Sequence, residues 1–420
     1  MGNLLIIISL FITILLYGLA KIANPMVMTS PWQMLAQISG LLGFLLLAWS
    51  YVLAVRHKFL EKLWGGLDKV YKIHHIVGGI SFLLLLYHPI FLIINSLPTN
   101  NLVLYLLPIT SLPYSLGIIS LYLMILLIIL TIFINMPYAF WKWTHEWMGL
   151  VVILGGLHSL LIFSDTSRFL LLKIWIILWG FSAFAAFVYK RFLYYWFLPK
   201  KNYKLMSVVK DGEIFIVTLS PKDAKKAIAI SAGQYAFLSV PGQEFKREEH
   251  PFSLLRSENG VIQFGIKAFG SWTNYLSELP AGIDITVRGP FGKFGESARL
   301  IKEMVWIAGG IGITPFVSMA QNLDPSQKVT IYHSIKNTCS PYISRIMQFF
   351  VEQNPNLKWI EHDSKEGRLT AEMIFDQINP SANTSYYLCG SFPMMESFNE
   401  QLIKKGVSKK KIIFEDFSFK

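Results

Sequence analysis

Apolar residues follow two regimes along this chain. From residue 1 to about 198 they run in long stretches; from about 199 to 420 they alternate with polar residues in short blocks. Six stretches in the first regime approach the roughly 20 residues that a helix needs to cross a bilayer. They are 3–22, 33–55, 71–95, 115–135, 147–163 and 169–189, the fifth reaching that length only if it begins near Trp143. Between the third and fourth, 98–114 holds three prolines and no charge, which predicts an outer loop with a short interfacial helix.

In the second regime, Glu213–Leu219, Tyr235–Val240, Val261–Ala268 and Asp284–Val287 read as strands separated by Gly, Pro or Asn turns, the pattern of a small antiparallel barrel. From Met304 the chain alternates strand and helix, with strands at Val305–Ala308, Val329–His333, Trp359–Glu361 and Tyr386–Leu388. That alternation predicts a parallel α/β domain. The expected organisation is a membrane all-α six-helix bundle over 1–198, a β-barrel over 203–298 and an α/β domain over 299–420.

Composition supports the membrane reading: 53% of residues are hydrophobic, and mean hydropathy is +0.45. The formal charge of +12 does not call for a nucleic-acid partner, because much of it sits beside the apolar stretches. Arg56, Lys58, Lys62 and Lys69 occupy one loop, Lys142 another, and Lys190, Arg191, Lys200, Lys201 and Lys204 follow the sixth stretch. The alternate loops contribute only Lys21 and Arg168. The positive-inside rule then puts both termini and the second half in the cytoplasm, with the lipid bilayer of the cell membrane as the first partner. Met1-Gly2-Asn3 lacks the basic residues of a signal peptide, so the first stretch is expected to be a retained helix. Two cysteines, Cys339 and Cys389, offer neither a disulfide framework nor a cysteine metal site.

Five of the nine histidines, His74, His75, His88, His145 and His158, lie in or beside the third and fifth stretches. Polar groups there are costly and usually functional. His74 and His88 are fourteen residues apart, which is close to four helical turns, so they face one side at two depths about 21 Å apart. His145 and His158 are thirteen apart and on an ideal helix would diverge by roughly 140°. Gly155-Gly156 offers a place for the distortion that would align them. His74 is then expected to pair with His145 near the inner face and His88 with His158 nearer the outer face, each pair a bis-axial haem site. His75 competes as inner ligand with a poorer angular match to His88. The bland alternative is interhelical hydrogen bonding, or a proton relay in a channel or transporter.

The soluble half carries Gly233-Gln234-Tyr235, then His250-Pro251-Phe252-Ser253, Lys267, Gly270-Ser271-Trp272-Thr273 and Gly289-Pro290-Phe291-Gly292. An isoalloxazine needs a flat apolar wall, and its pyrophosphate needs backbone amides and a cation. Phe252 and Ser253 suit the ring, and Lys267 with Gly270 to Thr273 suits the phosphates. Gly309-Gly310-Ile311-Gly312-Ile313-Thr314-Pro315 follows a strand and opens a helix, as a nucleotide pyrophosphate requires. Cys389-Gly390 ends a later strand, where a nicotinamide can lie. Ser334 and Lys336 are placed to hold a 2′-phosphate, a mild preference for NADPH over NADH, and they read equally well as surface residues. The tail Phe414-Glu415-Asp416-Phe417-Ser418-Phe419-Lys420 suits either a cover for a flavin face or a closing strand, with Glu415 and Phe417 counted beside Cys389 as candidates for the chemistry.

Taken in order, these residues resemble the NADPH oxidase and ferric reductase superfamily, in which a six-helix haem domain is fused to a ferredoxin–NADP reductase-like module. The resemblance spans nearly the whole chain. It implies two b-type haems on the four histidines, FAD on the His-Pro-Phe-Ser strand and the Gly-Ser-Trp-Thr turn, and NADPH or NADH on the glycine string and Cys-Gly. It also implies an aromatic stacked on the flavin, by position Phe417, with Phe419 second. The implied activity is electron transfer from cytoplasmic NAD(P)H to an exoplasmic small-molecule acceptor. Oxygen, giving superoxide, is the first reading; ferric or cupric ion is the second. No obligate protein partner is expected. The chain departs from the family's usual pattern at His75, where an arginine is common, and at Ser391, where Cys-Gly-Pro is common.

Overall fold

The computed structural model describes residues 2–23, 29–99, 102–109, 111–197, 200–223, 225, 227–242, 245, 248–336 and 340–415. The chain divides into two compact units, Met1–Phe197 and Leu198–Lys420.

The first unit is all-helical: α1 Gly2–Ala23, α2 Pro31–Leu53, α3 Lys58–Trp64, α4 Leu67–Ser96, α5 Val103–Leu106 and α6 Leu112–Phe133. There follow α7 Tyr138–Glu146, α8 Met148–Leu161, α9 Asp165–Arg168, α10 Leu170–Val188 and α11 Tyr194–Phe197. Among the described residues, five helices are long and apolar enough to cross a membrane: α1, α2, α4, α6 and the run Leu170–Leu193. The fifth stretch differs from expectation. It is broken at Trp147 into α7 and the 14-residue α8, while Gly155-Gly156 continues as regular helix. The turn that realigns the two histidines therefore lies immediately after His145, not before His158.

Helix α1 shows why the unit reads as membrane-embedded. Its buried face carries Ser9, Thr13 and Tyr17, while Leu4, Ile7, Phe11 and Ile22 on the other face are exposed. This polarity is the reverse of a soluble helix and suits lipid outside and hydrogen bonding inside. Small residues bring the central helices together. Ser81 of α4 donates to the Gly43 carbonyl of α2 (2.8 Å) and Ser120 of α6 donates to the Val151 carbonyl of α8 (2.9 Å).

The second unit begins with a closed antiparallel barrel of strand order β1-β2-β5-β4-β3-β6. Its strands are β1 Lys200–Asp211, β2 Ile214–Pro221, β3 Tyr235–Ser239, β4 His250–Glu258, β5 Val261–Lys267 and β6 Asp284–Phe291. Strand β1 was hidden by its lysines; they point outward while Tyr203 and Leu205 enter the core. Two short helices, α12 Ser271–Tyr275 and α13 Phe294–Ala298, follow β5 and β6. A parallel sheet completes the unit with β7 Glu303–Gly309, β8 Lys328–Ile335, β9 Leu357–Asp363, β10 Ser385–Cys389 and β11 Ile412–Glu415. The intervening helices are α14 Thr314–Ala320, α15 Pro341–Gln353, α16 Ala371–Ile378 and α17 Phe392–Lys404. The order β11-β10-β7-β8-β9 reverses direction between β7 and β10, and that switch point is where open α/β sheets bind ligands.

Candidate functional site

In the helical unit the four expected histidines form two facing pairs. The rings of His74 (α4) and His145 (α7) stand 6.4 Å apart between centres, and those of His88 (α4) and His158 (α8) also 6.4 Å. A metal bound at about 2 Å by a ring nitrogen on each side separates two imidazole centres by about 6 Å, so the spacing suits one ion per pair. His75 is exposed on the next position of α4, while His74 is the one that faces His145.

Each ring is held through Nδ1. His74 meets the Ser50 carbonyl at 2.9 Å and the Ser50 hydroxyl at 3.0 Å. His88 donates to the Ala36 carbonyl and His158 to the Pro113 carbonyl, both at 2.7 Å. His145 reaches Thr131 Oγ1 at 3.5 Å and stacks on Trp141 with ring centres 5.5 Å apart. A carbonyl can only accept, so in His74, His88 and His158 Nδ1 carries the proton and Nε2 is left as the free lone pair that a metal requires. Glycines make the room: a Cβ on Gly40 would lie 2.8 Å from His88 Nδ1, and one on Gly117 would lie 2.8 Å from His158 Nδ1. In both cases the anchoring carbonyl is four residues before the glycine, so α2–α4 and α6–α8 repeat one device. A cavity of about 260 Å³ adjoins His88 and His158 and is walled mainly by apolar side chains such as Leu41, Phe44 and Met124. At His88 and His158, donor set, tautomer and cavity all fit haem. The glycines and carbonyls were missed in the sequence; the Ala36/Gly40 and Pro113/Gly117 spacing was the available signal.

In the barrel, β4 sets His250, Pro251, Phe252 and Ser253 opposite Leu238, Phe237, Ala236 and Tyr235 of β3. His250 bonds Glu248 at 2.9 Å and packs on Trp272 at 4.5 Å, while Phe252 stacks on the same indole at 5.5 Å. The Gly270 turn, with φ +85°, is stitched by Thr273, whose hydroxyl accepts from the Phe269 amide (2.7 Å) and donates to the Gly270 carbonyl (3.1 Å). Thr273 thus builds the turn, and Ser271 is the exposed hydroxyl on it. Lys267 is exposed and pairs with Glu213 at 3.3 Å. These groups form one aromatic wall and one open turn, which fits a flavin nucleotide.

In the sheet, Gly310-Ile311-Gly312-Ile313 forms a single 3₁₀ turn between β7 and α14, with Pro315 in the first turn of that helix. A Cβ on Gly312 would meet the Cys389 carbonyl at 2.3 Å, and one on Gly309 would meet Met394 at 2.4 Å. Gly310 has φ +52° and open space beside it. Thr314 Oγ1 donates to the Ile311 carbonyl at 3.0 Å. Across the strand ends, Glu415, Cys389, Ala308 and His333 lie in register in one row. Cys389 and Glu415 are both buried, and Gly390 lies against Gly309. Ser334 stands opposite Gly309, with Lys336 exposed two residues on. Phe417 and Phe419 lie outside the described residues.

Sequence reading missed His333. Its Nε2 donates to the Gly310 carbonyl at 2.9 Å, fixing the glycine turn from the neighbouring strand. Burial pushes its pKa down to about 4, partly offset by that hydrogen bond. Also missed was the meeting of Glu415 with Gly292 and Tyr235 at the seam between barrel and sheet, where a Cβ on Gly292 would stand 3.0 Å from Glu415 Oε1 and 3.1 Å from the Tyr235 ring.

An apolar helical unit with paired imidazoles, followed by a flavin-type barrel and a nucleotide sheet, defines a membrane oxidoreductase with a ferredoxin–NADP reductase-type module. Residues 39–156 match the ferric reductase like transmembrane component, 203–295 the oxidoreductase FAD-binding domain and 306–400 the oxidoreductase NAD-binding domain. Three successive regions of the chain thus match a ferric reductase like transmembrane component, an oxidoreductase FAD-binding domain and an oxidoreductase NAD-binding domain, in that order. Flavohemoprotein A of Dictyostelium discoideum is 27% identical over 231 residues, 50% of this chain and 58% of that protein. The reductase component of propane 2-monooxygenase from Rhodococcus jostii is 25% identical over 206 residues, 44% of this chain and 55% of that protein. The chain thus spans little more than half the length of these relatives. A flavohemoglobin from Malassezia yamatoensis, solved with bound FAD and heme, shares the fold at TM-score 0.54 and 17% identity, over 93% of this chain and 99% of that one.

Proposed function

We propose that the protein carries electrons from cytoplasmic NAD(P)H to an acceptor on the outer side of the plasma membrane, with oxygen as that acceptor and superoxide as the product. The observation that carries this reading is the pair of facing imidazole sites, in which His74, His88 and His158 are each fixed by a carbonyl with the proton on Nδ1. When bound, FAD converts a hydride into single electrons and two haems relay them; the protein contributes position and potential.

The chain's own residues have distinct tasks. Gly309, Gly310 and Gly312 let the nucleotide pyrophosphate approach the start of α14. Ser334 and Lys336 meet a 2′-phosphate, favouring NADPH. Cys389 and Glu415 flank the nicotinamide at the strand ends, and Phe417 covers the flavin, with Phe419 as the second candidate. Phe252, Ser253 and Trp272 wall the flavin, with His250 and Pro251 setting the strand and Lys267, Gly270, Ser271 and Thr273 meeting its phosphates. His74 and His145 hold the inner haem, and His88 and His158 the outer. Ferric or cupric ion fits the same path as an alternative acceptor.

Visible spectra of detergent-purified protein, taken anaerobically before and after NADPH, test the relay. Sharp reduced b-type bands that appear on addition support it. Their absence from folded, haem-supplemented protein would favour a histidine-lined channel with a regulatory soluble domain. Superoxide and ferric-reduction assays then separate the acceptors.

A further inference from the structure

The barrel grips the nucleotide sheet by two helices, and the two grips differ in kind. Helix α14 is held along its length. Ser318 Oγ accepts from the Gly233 amide at 2.9 Å, and Gln321, just past the helix end, donates to the Ser257 carbonyl at 3.2 Å. A Cβ on Gly265 would stand 2.8 Å from the Thr314 methyl. Helix α15 is held at its start. Asp211 Oδ2 accepts from the Ser340 hydroxyl and from the Tyr342 amide, the latter at 2.9 Å. Beside it, Tyr342 Oη donates to Gln263 Oε1 of β5 at 2.9 Å.

A carboxylate is matched to that place. The first amides of a helix have no intrahelical partner and carry partial positive charge, so an anion there makes charge-assisted bonds. Ser340 is also the cap of α15, accepting from the Ile343 amide at 3.3 Å, so Asp211 holds the cap together with the helix. Its own support is rigid. Asp211 and Ile214 close the turn between β1 and β2, and within that turn the Glu213 carbonyl accepts from the Ala268 amide at 2.9 Å.

The position of this tie along the chain gives it a role. Ser334 lies near the end of β8, Lys336 follows the strand, and three residues separate Lys336 from Ser340. So short a connection spans at most about 14 Å. Strand β8 sets where it starts, and Asp211, from the barrel, sets where it ends. We propose that Asp211 is a positioning residue for the 2′-phosphate of the nucleotide, fixing from the barrel side the connection that carries Lys336. The nicotinamide end depends on the other grip, because the glycine string opens α14. Loss of the tie should therefore weaken NADPH while NADH and the chemical step are spared. This inference rests on the reading above that Ser334 and Lys336 meet a 2′-phosphate.

The test uses the purified, flavin-loaded full chain. Calorimetric titration with adenosine 2′,5′-bisphosphate and with adenosine 5′-monophosphate reads the 2′-phosphate without turnover, and dye reduction gives KM and kcat for NADPH and NADH. The unaltered protein is expected to bind the bisphosphate more tightly. Asp211→Ala should weaken the bisphosphate and raise the KM for NADPH by about tenfold, the scale of one charge-assisted hydrogen bond. The monophosphate, the KM for NADH and kcat should stay unchanged. Asp211→Asn, which keeps an acceptor oxygen, should restore most of the loss. Ser340→Ala removes one donor and should move the same quantities in the same direction; it carries the test alone if Asp211→Ala does not fold. Equal changes for both nucleotides, or an undiminished preference in either alanine variant, would overturn the assignment to Asp211. An unaltered protein that does not favour the bisphosphate would overturn the 2′-phosphate reading, and this inference with it.

Discussion

His88 and His158 face each other within the helical unit, and each ring rests on a glycine of the helix that also anchors it, Gly40 and Gly117. The glycine and the carbonyl four residues before it act together. The carbonyl fixes the tautomer, and the missing side chain lets the ring lie close enough to be fixed. Gly117→Leu should therefore expel the His158 ring from its place. On the two-haem reading proposed above, the expected result is a loss of about half the haem per chain, by pyridine haemochrome assay, with NADPH-driven reduction of a soluble dye unchanged. Retention of both haems would show that the glycine is only a packing residue.

The glycine turn makes a second, graded prediction. Gly312 is pressed onto the Cys389 carbonyl, and neither backbone can yield without moving β7 or β10. Gly312→Ala is expected to raise the KM for NADPH at least tenfold and to lower the melting temperature of the soluble unit. Gly310 has open space, so Gly310→Ala meets only the backbone cost of φ +52°, about 1–2 kcal/mol. The contrast between two alanines two residues apart is the measurement; equal effects would refute the packing account.

His333 gives the sheet a pH dependence of predictable sign. The imidazole titrates near 6.5 in the unfolded chain and near 4 when buried in the fold. The unfolded state therefore binds the proton first. Stability is full above pH 6.5 and declines as pH falls toward 4, a loss of order 3 kcal/mol at most from this group. Denaturant melts of the isolated unit at stepped pH should show the decline, and His333→Gln, which keeps a donor for the Gly310 carbonyl, should remove it.

The histidine pairing was legible because four turns of one helix fix relative direction whatever surrounds them. The break at Trp147 was not, since Trp147-Met148-Gly149 is apolar and reads as uninterrupted helix. Gly155, the apparent weak point, is instead where α8 closes on Ser120 of α6, a Cβ there standing 3.3 Å from the hydroxyl. Strand β1 was obscured because Lys200, Lys201 and Lys204 answer equally to a membrane flank and to the outer face of a strand. The polar face of α1 depends on indoles from residues 49 and 175, partners that no local window contains. Motifs whose meaning is local, such as the glycine string, were readable; His333, which acts from the adjacent strand, was not.

The barrel contains a buried charge pair whose role separates stability from binding. Arg288 of β6 and Glu249, just before His250, are ion-paired with side chains 8% and 6% exposed. Glu249 precedes the strand that carries Phe252 and Ser253, so the pair fixes the start of that strand against β6. Removing one partner leaves a buried charge uncompensated and should cost about 3–5 kcal/mol, whereas replacing both with apolar residues of similar volume is often neutral. Arg288→Met should thus destabilise the soluble unit strongly in a urea melt. The double change Arg288→Met with Glu249→Leu should recover most of that loss. Flavin affinity separates the two contributions: if the pair only stabilises, the double variant binds FAD normally. If it also positions His250 and Trp272, FAD release stays fast after stability has returned.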